Sequence, residues 1–331
     1  MRYGYKIFGL SITPVRQPGD PVTLDDSVFG PGGAREMIGR HLVASVEGKA
    51  DEVRQLFTRV DVVQAEGWGL LLTVSGGPFG QSAEVVDLEQ GRPRNPVVAT
   101  DAVLSPGRVL FVVPPTGTHG VLVSEVRGRS HLTDGVLDRL NRKLKPSKLR
   151  VRVDGSVADD VAWNAYFDEE EVSVRRVELV QLDRRGDQDR LVSSDVIRKA
   201  TVALDFRPDA PVKRQILDLL SGRRQRARAT PLGRLGLAGL VGLRQYGDDA
   251  FDDETLVVVR DKRERRIHFT RGWPSFTYEL PGEHLADPSF LDAVHDAVDD
   301  TLDALQVERP AGEWWPSGQR LRDLVRQAPA E

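Results

Sequence analysis

The chain contains no cysteine and only two methionines. The first absence excludes disulfides, thiolate nucleophiles, iron–sulfur clusters and cysteine-ligated zinc together. Lysine is scarce as well, arginine outnumbering it roughly five to one. A GC-rich genome produces that bias, so a lone arginine marks nothing. A cluster of them still offers planar forks that suit phosphate. No apolar run approaches the ~20 residues of a membrane span. The opening residues MRYGYKIFGLSI lack the long apolar core and small-residue cleavage site of a signal peptide. A cytoplasmic protein without membrane contact is the expectation. A formal net charge of -4 excludes a polycation that coats nucleic acid over its whole surface.

What is present is ordinary for a soluble globular protein: 40% hydrophobic and 29% charged residues over a length of 331. That length gives one large domain or two. The best-specified stretch is Val109 to Leu144, VLFVVPPTGTHGVLVSEVRGRSHLTDGVLDRLNRKL. Two apolar runs flank a Pro-Pro-Thr-Gly turn and read as a hairpin; Leu137, Leu140 and Leu144 then mark a helix face. Trp68 to Val74, Ala83 to Leu88, Val97 to Val103, Val172 to Leu182 and Ile197 to Phe206 read as further strands. Leu256 to Val259 and Arg265 to Phe269 read as a second hairpin, with Phe276 to Leu280 as a possible third strand beside it. Helices are expected at Asp51 to Phe57, Asp159 to Phe167, Ala210 to Leu220 and Phe290 to Leu305, and a basic one at Arg320 to Arg326. Prolines and glycines over residues 13–35 read as a long loop, and Ser75 to Gly80 as a turn.

The fold class expected is α+β, with largely antiparallel sheets, helices on their faces and two lobes. Residues 1–148 form the N-terminal lobe. Residues 149–331 form the C-terminal lobe, holding an Arg-rich segment over 223–244 and an acidic amphipathic helix over 287–305. The boundary sits at the locally basic segment KLKPSKLRVR, which contains Pro146.

Three chemistries compete for the candidate residues. The hairpin with Glu125-Val126-Arg127 resembles the restriction-endonuclease-like hairpin, in which Asp precedes Glu-x-Lys on neighbouring strands. It departs in carrying Arg127 in place of Lys and no acid in Val109 to Val113. The resemblance implies a metal-dependent nuclease with Glu125 as a ligand for magnesium, the cofactor only this reading needs. His119 and His131, with Glu125, Arg127 and Arg129 between them, suggest metal-free RNA cleavage by proton transfer. They flank an extended strand, which keeps them apart unless the chain bends.

The favoured reading is non-catalytic and cofactor-free: nucleic-acid binding, to RNA or single-stranded DNA, through two arginine clusters. One is Arg127, Arg129 and Ser130 at the bend before the helix. The other is Arg223, Arg224, Arg226, Arg228 and Arg234, beside glycines that let backbone N–H groups approach phosphate. Trp314 and Trp315 are candidate anchors for a protein partner instead. The acidic residues Asp296, Asp299, Asp300 and Asp303 lack calcium-loop spacing and read as a solvated face. In general character the chain is similar to accessory and defence-system proteins of bacteria.

Overall fold

Apolar runs without alternation become strands covered on both faces. A computed structural model of the chain describes residues 3–17, 19–53, 55–80, 83–87, 92–98, 101–127, 130–168, 172–182, 199–206, 253–260, 263–268, 276–280, 285–310 and 313–326. The order opens with β1 (Tyr3–Pro14), α1 (Gly33–Val43), β2 (Lys49–Asp51), β3 (Leu56–Glu66), β4 (Gly69–Pro78), β5 (Ala83–Asp87) and β6 (Arg92–Val97). The expected hairpin and helix follow as β7 (Ser105–Val112), β8 (His119–Arg127), β9 (Ser130–His131) and α2 (Thr133–Leu144). Next come β10 (Leu149–Asp154), α3 (Ser156–Asp168), β11 (Ser173–Leu182), β12 (Lys199–Asp205), β13 (Asp253–Arg260) and β14 (Arg263–His268). The described chain closes with β15 (Tyr278–Glu279), α4 (Asp287–Ala304) and β16 (Arg322–Arg326). Every strand pairing among the described residues is antiparallel, and with the helices this makes an α+β protein.

Two compact units divide the chain, at places other than Lys148. One comprises Met1–Ala158 together with Thr277–Glu331, the other Asp159–Phe276. The basic segment after α2 therefore does not end a unit: β10 pairs with β1, Val151 opposite Ile12.

The first unit is built on a sheet in the order β10-β1-β8-β7-β4-β3-β16, with β15 also on β1, β2 on β3 and β9 on β8. Strand parity sorts its side chains into two cores. Leu10, Ile12, Leu72, Val109, Phe111 and Leu122 face the layer of α1 and α2. Tyr5, Ile7, Leu71, Leu110, Val112, Val121 and Val123 face α4. Because both parities are buried, the runs GLLLTV and VLFVV show no polar alternation. Helix α2 buries Val136, Leu137, Leu140 and Leu144, and α4 buries Phe290, Leu291, Val294, Val298 and Leu302, each one stripe at helical period.

In the second unit the sheet order is β12-β11-β13-β14. Trp163, Tyr166 and Phe167 of α3 form an aromatic cluster with Phe276, whose ring lies edge-on to Trp163 at 4.7 Å. The inward residues of this helix are Ala162, Trp163, Tyr166 and Phe167, while Ala165 is exposed. The helix expected at 210–220 lies outside the described residues.

Local readings fail where one residue type serves two geometries. Asp51 to Phe57 is no helix: β2 and β3 form a hairpin there, and the helix lies earlier, over Gly33–Val43. The tail at Arg322–Arg326 is a strand, because the open side of β3 supplies a ladder to RDLVR. The Ser75 to Pro78 segment continues β4 rather than turning. Glycine is required there for approach: a Cβ on Gly77 would lie 1.7 Å from the Val103 carbonyl, and one on Gly76 2.4 Å from Leu132. Val97 ends β6, and the next strand starts only at Ser105. β15 joins β1 and not the hairpin of β13 and β14.

Candidate nucleic-acid interface

Glu125 is buried, its side chain 2% exposed, and its carboxylate is already in use. It accepts the Arg108 main-chain N–H at 3.0 Å and lies 3.4 Å from Arg108 Nη1 and 3.5 Å from Arg127 Nη2. Arg108 also reaches Asp287 Oδ1 at 2.7 Å and donates to the Leu285 carbonyl, tying β7 and β8 to the start of α4. A buried carboxylate held by two guanidinium groups is a structural ion pair of the kind that fails badly when one partner is removed. Among the described residues no three His, Asp or Glu side chains gather where a metal ion could sit.

Arg127 spends its charge inside the protein. Besides Glu125, its guanidinium stands 5.7 Å over the Tyr3 ring, and its Nε is buried without an acceptor. Ser130 and His131 form β9, folding straight back on β8 opposite Arg127 and Val126. Arg129 lies outside the described residues, as do Arg223, Arg224, Arg226, Arg228 and Arg234. His119 opens β8, bonded to Thr118 at 2.8 Å, while His131 lies past its other end. The two histidines are not brought together.

Trp314 is a core residue, 9% exposed, packed 5.3 Å from Trp68 and 5.5 Å from Trp315. Trp315 is half-buried, edge-on to His295 at 5.0 Å, with a buried indole N–H that has no acceptor. The acidic face of α4 is partly matched by Arg309, 2.6 Å from Asp303 and 3.1 Å from Asp299. Burial, then Asp299, Asp296 and Asp303, raise the pKa of Asp300.

The cations that the fold does gather lie elsewhere. From Arg139 to Arg152, RLNRKLKPSKLRVR, there are seven Lys or Arg and no acid. The run covers the last turns of α2, a 3-10 turn at Lys145–Ser147 and edge strand β10. Arg142, Lys143, Lys145, Lys148, Arg150 and Arg152 are all exposed. Buried Leu140, Leu144, Leu149 and Val151 alternate with them and pin the run to the core. Arg139 is held inward, donating to the Ser45 and Glu47 carbonyls, and Arg142 bonds the Asp138 carbonyl at 3.1 Å. Lys143, Lys145, Lys148 and Arg150 have no acidic partner among the described residues.

Helix α1 adds to this surface. The bonds from Arg139 to the Ser45 and Glu47 carbonyls hold the segment after α1 against α2, and the pKa of His41 is lowered by burial, then by the charges of Arg40 and Lys143. Asp51 and Asp138 border the patch where Lys49, Arg139 and Arg142 line a shallow hollow. Two structural duties fall to such cations: complementing the C-terminal dipole of α2 and deterring pairing at β10.

A sequence signal for this surface exists. Three of the chain's eight lysines fall between positions 143 and 148, a concentration that a bias toward arginine does not produce. Pro146 in their midst suggests a boundary, and the run is easily passed over as a linker. No family model matches the chain, and no curated protein is significantly similar to it in sequence.

Proposed function

We propose that this is a non-catalytic cytoplasmic protein that binds the phosphate backbone of a nucleic acid along the α2–β10 edge. The observation that carries the reading is an acid-free run of seven cations, fixed on regular structure, with four of them unpaired among the described residues. Cations without carboxylate neighbours keep their charge for a ligand, and rigid elements reduce the ordering cost on binding. The Arg223 to Arg234 segment is a second contact in this proposal. Glu125 and Arg127 are not: they hold each other and Arg108.

Backbone binding releases counterions, so log affinity falls linearly with log salt, at about −0.9 per phosphate contacted on duplex DNA. Five phosphates give roughly a 500-fold loss between about 50 and 200 mM salt. Fluorescence anisotropy with labelled RNA, single-stranded DNA and duplex DNA, run at both salt levels with and without magnesium, tests this. Saturable, salt-sensitive binding that leaves the oligomers intact on a denaturing gel is expected. Absence of binding at low salt removes the proposal, and magnesium-dependent cleavage would replace it with the nuclease.

A further inference from the structure

A cavity of about 260 Å³ opens where the start of α1, the β3–β4 turn and the β7–β8 turn meet. Leu24, Ala34, Val113 and Pro114 give it apolar walls, and Trp68 and Arg35 complete the lining. Arg35 is half-buried, and its one bond among the described residues is to the Gly67 carbonyl. It has no carboxylate partner there, although a cation withdrawn from water ordinarily acquires one. The Glu36 carboxylate lies against Gly32 at the head of α1 and so already complements the dipole of that helix end.

The indole is held ready. The Trp68 main-chain N–H donates to the Trp314 carbonyl at 2.8 Å, and its own carbonyl accepts from Val113 at 3.0 Å. Its ring is braced by Trp314 at 5.3 Å. An aromatic surface, apolar walls and a guanidinium lacking a counter-ion together match a flat apolar body that ends in a carboxylate. The volume limits that body to one or two rings. We infer that this cavity is a binding site for a small aromatic carboxylate, with Arg35 pairing with the carboxylate and Trp68 stacking on the ring. The site is separate from the basic edge and does not depend on nucleic-acid binding.

Isothermal titration with 2-naphthoate, and with its neutral analogue 2-naphthalenemethanol, tests the inference on the full chain. Saturable one-to-one binding of the acid with a dissociation constant below about 0.5 mM is expected, with the alcohol at least about tenfold weaker. Arg35→Met is expected to weaken the acid about tenfold or more, and Arg35→Lys to restore part of the loss. Should Arg35→Met lose its circular-dichroism spectrum, the acid–alcohol comparison on the unmodified protein decides alone. No saturation by about 5 mM, equal binding of acid and alcohol, or indifference to Arg35→Met in a folded variant overturns the assignment.

Discussion

The side-chain amide of Asn141 pairs with both main-chain polar groups of Val151: Val151 N–H donates to Oδ1 at 2.7 Å, and Nδ2 donates to the Val151 carbonyl at 3.1 Å. An amide of this geometry does what a neighbouring strand would do. It occupies the outward face of edge strand β10 and fastens α2 to it, so that the helical and strand halves of the basic run keep a fixed relation. Edge strands invite pairing with other chains, and this one is closed at its centre.

Replacing Asn141 with Ala leaves one partly buried donor and one acceptor without partners. A loss of about 1–3 kcal/mol is expected, read from urea denaturation. Uncovering β10 also predicts concentration-dependent association, visible by light scattering. A variant with unchanged stability and no association would show that the bridge does not hold the edge.

Glu125→Ala is expected to cost about 3 kcal/mol, because it leaves the largely buried Arg127 without its carboxylate and Arg108 with Asp287 alone. Glu125→Gln retains an acceptor for the Arg108 N–H and is expected to lose less. The test is the order of the two melting temperatures. If both variants keep wild-type stability while losing a magnesium-dependent cleavage activity, Glu125 is a metal ligand and the structural assignment fails.

His41 links the basic surface to pH. Burial, Arg40 and Lys143 lower its pKa, so the unfolded chain takes up the proton first. The stability it contributes is present above the unfolded value of about pH 6.5 and is lost as pH falls from there through the lower folded value. A bound phosphate offsets Arg40 and Lys143 and raises the His41 pKa, so binding takes up a proton. Affinity is therefore expected to strengthen from about pH 7.5 to 5.5, and to do so less in His41→Gln. A pH profile identical in the two proteins would place His41 outside the contact surface.

The acidic stripe of α4 gives a prediction of opposite sign. Asp300 has a raised pKa, so the folded state holds its proton more firmly, and that advantage is lost as pH rises through the folded value. Asp300→Asn relieves repulsion by Asp299, Asp296 and Asp303 near neutral pH. A gain of up to about 0.5 kcal/mol is expected, since the residue is exposed. Thermal melts at pH 7 and pH 4 should show the gain at the higher pH alone.

The central strands were legible because burial on both faces leaves runs such as VLFVV, and α2 and α4 because one apolar stripe recurs at helical spacing. Helix α1 was not. Its buried set mixes Ala34 and Gly39 with Met37, Ile38 and Leu42, so small residues thin the hydrophobic signal. RDLVR fits a helix face or an edge strand equally, and only the open side of β3 decides between them. The pairing of Glu125 with Arg108 and Arg127 needs the β7–β8 register, which brings Val109 opposite Ser124. The basic run itself stands plainly in the sequence. That α2, the turn with Pro146 and β10 form one continuous surface follows from strand pairing to β1, a contact more than a hundred residues away.

Charge reversal on that surface decides whether the α2–β10 edge is the interface. The comparison is salt-dependent anisotropy of the wild type, a Lys143→Glu/Lys145→Glu/Lys148→Glu variant, and an Arg320→Glu control beside β16 at the opposite edge of the sheet. The triple variant is expected to fold, to bind at least about a hundredfold more weakly at low salt, and to have a salt slope shallower by about two to three, while the control binds like the wild type. A triple variant that binds with wild-type affinity and slope would contradict the assignment of the α2–β10 edge as the interface.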